Sequence, residues 1–146
     1  MTNIAPSAVH RYLDLRGLTP IDTHLQARVF DAPGDGGASS QYEVFITNAT
    51  DVKRLENEQL AVTATDEVLA MITFQKGPPQ NGASINGVTN ETLLAIVLDC
   101  LDGFQSGPFA CAQNAEAQEH LRKAIAALQG RTQERVDRGV EGQTVE

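Results

Sequence analysis

Apolar and polar residues alternate along two stretches in the first half of the chain, residues 24–32 and residues 42–49. A period of two is typical of β-strands, because successive side chains point to opposite faces of a sheet. Residues 60–77 predict two further strands or one bent strand. Residues 7–18 place apolar residues at helical spacing, so a short leading helix is expected there. Residues 1–88 are therefore predicted to form a β-rich region that begins with a helix.

The hydrophobic period changes in the second half of the chain. Residues 89–105 and 110–138 repeat apolar residues at helical spacing, and Gly139 is a suitable helix end. The connection between them contains Gly and Pro and is short enough to force the helices antiparallel. Residues 89–146 are therefore predicted to form a helical hairpin with a tail. The expected fold class is α+β, a small antiparallel β-sheet followed by a C-terminal antiparallel helical hairpin, as one compact unit or two small ones packed together.

The net charge of −8 restricts the ligands that the protein can bind. A broad basic surface supplies most of the affinity for DNA, so general nucleic-acid binding is not expected. A small anion held in a local basic pocket remains compatible with this charge. The two cysteines do not predict a disulfide framework, and neither a secretory signal nor a membrane span is recognised. These features predict a cytoplasmic protein with reduced thiols.

Residues that would support catalysis are sparse. His10, His24 and His120 lie far apart and lack the spacing of metal ligands, and no serine-nucleophile motif occurs. We therefore expect no catalytic residue, metal site or cofactor, and no enzyme activity. Cys111 falls early in a predicted helix, where a thiol can be activated, but a buried position beside Cys100 is the simpler expectation. Solvated helix faces are expected for the hairpin carboxylates Asp99, Asp102, Glu116 and Glu119.

The strongest chemical cluster lies in the predicted hairpin. Phe104 can stack on a base, and Asn114 can exchange hydrogen bonds with a base or ribose edge. Arg131 and Arg135 are four residues apart on one helix face, which Arg138 continues, and guanidinium groups can bind phosphate oxygens. Other interpretations stay open: Phe104 can belong to the core, Asn114 can be an ordinary first-turn residue, and the arginines can complement the helix dipole.

Distance along the helix limits how these residues can act together. At the helical rise, Arg131 lies about 25 Å from Asn114, so one hairpin cannot wrap both residues around one small ligand. A second copy packed antiparallel can bring its arginines beside the bend of the first copy. The residues alone leave open whether such a pocket exists.

Three segments of the chain carry a family resemblance. They are ITFQKGP at 72–78, NGVTNETLLAIVLDCLDGFQSGPFACAQNAEA at 86–117 and RTQERVDRGVEG at 131–142. In this order they resemble the hairpin domain of the phage Thoeris anti-defence sponges, which is shared with the anti-CBASS cyclic-nucleotide sponges. The predicted strands ahead of the hairpin resemble the Thoeris type, because the anti-CBASS relatives are mostly helical.

The resemblance implies a protein that binds immune second messengers and holds them without cleaving them. The implied ligand is glycocyclic ADP-ribose, a cyclic ADP-ribose isomer. The implied pocket is shared between subunits of a dimer, or of a hexamer built as a trimer of dimers. The residues that match this pocket are Phe104, Asn114, Arg131 and Arg135.

The resemblance also implies a second site, at a three-fold contact, for cyclic trinucleotides. Some family members accept cyclic dinucleotides as well. The residues that match the second site are Arg138, Gly139, Val140 and Gly142. The family commonly continues with Thr-His, whereas this chain has Gln143 and Thr144.

Two other functions are compatible with the sequence. An enzyme that degrades the same messengers would need a general base and usually metal ligands, and no such cluster is recognised. An oligomeric structural or protein-interaction module would use the hairpin only to dimerise. A DNA-binding regulator is disfavoured by the net charge. The resemblance favours a sponge acting in the cytoplasm of the infected bacterial host.

Overall fold

The computed structural model describes residues 9–13, 15, 18, 25–46, 67–77 and 85–139. The chain divides into two compact units, Met1–Thr73 and Phe74–Glu146. The sequence predicts a boundary after residue 88, at the start of the hairpin. The second unit begins earlier because Phe74 forms an isolated parallel bridge with Val88, which joins this stretch to the hairpin.

Among its described residues, the first unit contains an antiparallel sheet of four strands in the order β1-β2-β3-β4. The strands are β1 (Arg11–Leu13), β2 (Leu25–Val29), β3 (Gln41–Ile46) and β4 (Glu67–Thr73). The strands predicted over 24–32 and 42–49 correspond to β2 and β3, and β4 lies within the stretch predicted at 60–77. With the two helices described below, this sheet confirms the predicted α+β class.

The leading helix predicted over residues 7–18 is wrong for the part that the structure describes. Arg11–Leu13 are extended and pair with β2, with Arg11 opposite Val29. The backbone amide of His10 also donates to the Val29 carbonyl at 2.8 Å. A short apolar run fits either period, and here the cross-strand hydrogen bonds with β2 decide in favour of a strand.

A buried ion pair lies in the interior of the sheet unit. Arg28 on β2 stands opposite Glu43 on β3, and its Nε donates to Glu43 Oε1 at 2.7 Å. The guanidinium also lies over the ring of Phe45, 4.1 Å from its centroid. The two charged side chains are only 1% and 8% exposed. Because a buried charge is tolerated only with such partners, the pair fixes the register of β2 against β3.

One carboxylate closes the connection between β2 and β3. Asp31 accepts hydrogen bonds from the Ser40 hydroxyl at 2.7 Å and from the Ser40 and Gln41 amides at 2.8 Å each. Burial alone would raise the pKa of Asp31, but these hydrogen bonds to the charged form outweigh it and lower the pKa from 3.8 to about 2. The loop is therefore held by an ionised side chain at neutral pH.

The second unit contains the helical hairpin, made of α1 (Asn90–Gln105) and α2 (Ala112–Asp137). The Thr89 side chain accepts a hydrogen bond from the Thr92 amide at 3.2 Å and so caps the start of α1. After α2, Gly139 adopts a φ of 69°, a left-handed conformation that glycine reaches at little steric cost. Both helix predictions are confirmed to within a few residues at their ends.

The hairpin leaves much of its apolar surface uncovered. Of the described residues in α1 and α2, only Gln118 is buried. Val97 and Ile96 on α1 are 48% and 60% exposed. Leucines and an isoleucine at helical spacing on the two helices are half-buried: Leu94, Leu98, Leu101, Leu121, Ile125 and Leu128. A helix with apolar residues on more than one face normally packs against more than one neighbour.

Candidate functional site

The bend of the hairpin carries an aromatic and an amide side chain, one on each side. Phe104 is the next-to-last residue of α1, and its side chain is 48% exposed. Asn114 lies in the first turn of α2 and is half-buried. The exposure of Phe104 is too high for a core residue, so its ring retains an open surface on which a planar group can stack.

Two hydrogen bonds connect Asn114 to the end of α1. Gln105 Oε1 accepts from the Cys111 amide at 2.9 Å, and Cys111 Sγ accepts from the Asn114 amide at 3.4 Å. The Asn114 carboxamide itself makes no hydrogen bond with the described residues, which leaves it open to a ligand. The prediction that Cys111 is buried beside Cys100 is wrong, because both thiols are exposed and Cys111 caps α2.

A third connection crosses the hairpin just behind the bend. Asp102 Oδ1 on α1 accepts hydrogen bonds from Gln118 Nε2 and, at 3.1 Å, from Arg122 Nη2 on α2. Gln118 is only 8% exposed. Asp102 is exposed, as predicted for a solvated helix face, but it also accepts hydrogen bonds from the facing helix. This contact also shows which turns of the two helices face each other.

The arginines lie at the opposite end of the hairpin from the bend. Counting along both helices from the contact of Asp102 with Gln118, Asn90 lies opposite Gly130. The last turns of α2 therefore extend beyond the start of α1. The extension carries three arginines: Arg131, exposed; Arg135, half-buried; and Arg138, which follows α2 as its C-terminal cap.

Within one chain, the structure thus brings the four predicted pocket residues together only in pairs. Phe104 and Asn114 flank the bend, whereas Arg131 and Arg135 lie in the extension. About 25 Å of helix separates Asn114 from Arg131 at the standard rise. One copy of the hairpin cannot place all four side chains around one small ligand.

The two ends of the hairpin differ in charge. The half of the hairpin near the bend has four acidic residues against two basic ones: Asp99, Asp102, Glu116 and Glu119 against Arg122 and Lys123. The α2 extension has three arginines against Glu134 and Asp137, in a chain whose net charge is −8. A second hairpin packed antiparallel would bring its basic extension to the acidic helix and bend of the first, an electrostatically complementary arrangement.

Residues 66–133 match the family model described as "Acb2/Tad1, hairpin domain". The matched residues include β4 and most of the helical hairpin. The chain is also 48% identical over 75 residues to "Thoeris anti-defense 1" of Bacillus phage SBSphiJ7. That alignment covers 51% of this chain and 51% of the relative, so the chain matches about half the length of this relative. These findings confirm the resemblance to the Thoeris anti-defence sponge family.

The residues predicted for a second site follow the hairpin domain. Arg138 follows α2 as its C-terminal cap, and Gly139 supplies the left-handed turn after it. Val140 and Gly142 lie outside the described residues, so their part of the prediction stays a prediction. No His, Cys, Asp or Glu cluster that could hold a metal ion occurs in the described parts of the chain. None of the described helices is long and apolar enough to cross a membrane.

Sequence reasoning missed the residues that shape the bend of the hairpin domain. Gln105, Cys111 and the Asp102–Gln118 contact are all polar features of the bend. Helical spacing alone could not reveal them, because the relevant contacts join the two helices. Gln118 and Arg122, four residues apart on α2, were the available signal, since both can reach one acidic residue of an antiparallel neighbour.

Proposed function

We propose that this protein is a phage anti-defence sponge, which binds a signalling nucleotide and sequesters it without cleaving it. The proposed messenger is glycocyclic ADP-ribose, the Thoeris signal. The observation that carries the proposal is the Acb2/Tad1 hairpin domain, together with the likeness to a relative whose name is "Thoeris anti-defense 1". The protein would act in the cytoplasm of the infected bacterial host and prevent the signal from reaching its effector.

The proposed pocket is built by two copies of the chain. The bend of one copy supplies the exposed Phe104 ring for a base and the Asn114 carboxamide for a base or ribose edge. The extension of the second copy supplies Arg131 and Arg135 for the two phosphates. This division follows from the distance between the two pairs, which is too great for one hairpin.

A homodimer, or a hexamer formed as a trimer of dimers, fits the surface of the hairpin. Apolar side chains on α1 remain open to solvent in the single chain, among them Ile96 and Val97. Burial of exposed apolar surface is the main force that drives association of identical subunits. The charges at the two ends of the hairpin favour the antiparallel arrangement that the pocket needs.

A second ligand site is proposed at the tail. Its ligands are cyclic trinucleotides and the cyclic dinucleotides that some family members accept. Its residues are Arg138, Gly139, Val140 and Gly142. Arg138 would bind a phosphate, and the glycine backbone would approach the ligand closely. If the two sites are separate, Arg138→Ala weakens binding of a cyclic trinucleotide more than binding of glycocyclic ADP-ribose; equal losses in calorimetric titrations would contradict two sites.

Calorimetric titration with glycocyclic ADP-ribose, followed by heating and chromatography of the released ligand, tests the main proposal. Tight binding with recovery of intact ligand is expected. Phe104→Ala should weaken binding roughly ten- to hundredfold, the usual cost of losing a stacked base. Phe109→Ala is the matched control, because Phe109 lies in the same bend, is 72% exposed and has no role in the proposed pocket.

The other outcomes point to the alternative functions. Release of an altered product would identify an enzyme that degrades the messenger. Absence of binding to glycocyclic ADP-ribose and to cyclic di- and trinucleotides would refute the sponge and favour an oligomeric structural or protein-interaction module, which the exposed apolar residues of α1 could support. Affinity for duplex DNA is not expected from a chain with a net charge of −8.

A further inference from the structure

Gln118 is an unusual residue to bury in this hairpin. It is 8% exposed, whereas the apolar residues beside it on the facing helices are only half-buried. A buried amide costs free energy unless it is hydrogen-bonded, and Leu at the same position would pack without that cost. Gln118 uses its amide to donate to Asp102, so the polar side chain provides a fixed connection between the two helices.

The connection joins the two segments that carry the bend residues of the proposed pocket. Asp102 lies two residues before Phe104 on α1, and Gln118 lies one helical turn after Asn114 on α2. Together with the Gln105–Cys111 hydrogen bond, it restrains both sides of the bend.

From this geometry, and on the basis of the proposed function, we propose that Asp102 and Gln118 are positioning residues. Their hydrogen bond holds the Phe104 ring and the Asn114 carboxamide at the spacing that a nucleotide requires. They touch no ligand themselves. Preorganisation of this kind increases affinity because the protein does not lose side-chain and loop freedom when the ligand binds.

Gln118→Leu tests the proposal while it keeps a side chain of similar size at the position. We expect binding of glycocyclic ADP-ribose to weaken about tenfold, mainly through faster dissociation, with no change in oligomeric mass. Arg122→Gln is the matched control. It removes the other partner of Asp102, an exposed ion pair, and should change the affinity less than about twofold.

Two further variants separate positioning from a loss of stability. Ile125→Ala removes a half-buried side chain about three turns from Asn114 and about two turns from Arg131, so it should lower the thermal midpoint of unfolding without weakening binding. The double variant Asp102→Glu with Gln118→Asn lengthens one partner and shortens the other. It should recover part of the affinity that each single change loses.

Wild-type affinity in Gln118→Leu would overturn the proposal. An equal loss of affinity in Ile125→Ala, if the two variants have the same thermal midpoint, would also overturn it. If the unchanged protein does not bind glycocyclic ADP-ribose, the proposed function fails and the positioning role is tested on the free protein. Gln118→Leu must then shift the NMR signals of the Phe104 ring and the Asn114 carboxamide. Unshifted signals would refute the positioning role itself.

Discussion

Two variants that each bind weakly should restore tight binding when they assemble with each other. One copy carries Asn114→Ala, which alters the bend, and the other carries Arg131→Ala, which alters the extension of α2. The two residues are about 25 Å apart along one helix, so a shared pocket must take one from each copy. In the mixed dimer, one pocket then contains both changes and the other contains neither.

The size of the recovery follows from this arrangement. Loss of the hydrogen bond costs about 1–3 kcal/mol at the neutral Asn114 and about 1.5–3 kcal/mol at the charged Arg131, so each variant alone should bind roughly ten- to hundredfold more weakly. Random assortment of equal amounts makes half of the dimers mixed, and each mixed dimer has one intact pocket of two. About a quarter of all pockets should therefore regain wild-type affinity.

Co-expression with two different tags and purification over both affinity columns isolates the mixed dimers. In the purified mixed dimers, about half of the pockets should be intact. Calorimetric titration with glycocyclic ADP-ribose then counts the tight sites per chain. The control pairs Asn114→Ala with Phe104→Ala. Both changes lie at the bend, so each pocket of that mixed dimer carries one defect and none should recover.

If the purified mixed dimer of Asn114→Ala and Arg131→Ala has no tight sites, the pocket is not shared in the proposed way. The same conclusion follows if the control pair recovers as many sites as the test pair. Because the count of sites is measured instead of an average affinity, a general loss of stability in either variant cannot imitate recovery.

Two predictions concern the sheet unit, whose unfolding in urea can be followed by the fluorescence of its two tyrosines, since the chain has no Trp. Glu43→Ala leaves the Arg28 guanidinium buried without its counter-ion and should cost about 3–5 kcal/mol; a loss below about 1 kcal/mol would show that the pair is not structurally important. The lowered pKa of Asp31 means that its contribution is present above pH 3.8 and is lost as the pH falls towards about 2. Asp31→Asn should remove that part of the pH dependence, and an unchanged profile would contradict the assignment.

The elements that sequence patterns predicted well are those whose stability is local. Thr89 supplies a cap, Gly139 supplies a left-handed end, and the apolar spacing between them is helical, so the hairpin could be predicted from neighbouring residues. The strand at Arg11–Leu13 could not, because its conformation depends on pairing with β2, which is not adjacent to it in the sequence. The buried pair of Arg28 and Glu43 could not either, since each charge is acceptable inside the sheet only when the other stands opposite.

The candidate site also combines features that depend on residue type alone with features that depend on contacts between elements. Residue types and a family resemblance selected Phe104, Asn114 and the arginines as candidates, because stacking, amide recognition and phosphate binding each require a particular side chain. The polar contacts that hold the bend were missed, because they join residues from two helices whose alignment the sequence does not state. Asp102 illustrates the point. The sequence pattern predicts a solvated carboxylate, and only the position of Gln118 on the facing helix shows that Asp102 is also an interhelical hydrogen-bond acceptor.

The separation of the pocket into two pairs has a consequence for how a sponge of this design would work. Half of each proposed pocket lies on a bend that is fixed within one chain, and the other half lies on an extension that continues beyond the start of α1. Ligand binding would therefore be linked to association of the copies, because a bound messenger contacts both and stabilises the assembled form by mass action. A sponge must be present in an amount equal to that of the signal. Its assembled form would then hold the ligand more tightly than separate copies do. The uncovered apolar residues of α1, including Ile96 and Val97, are what would keep it assembled before the messenger arrives.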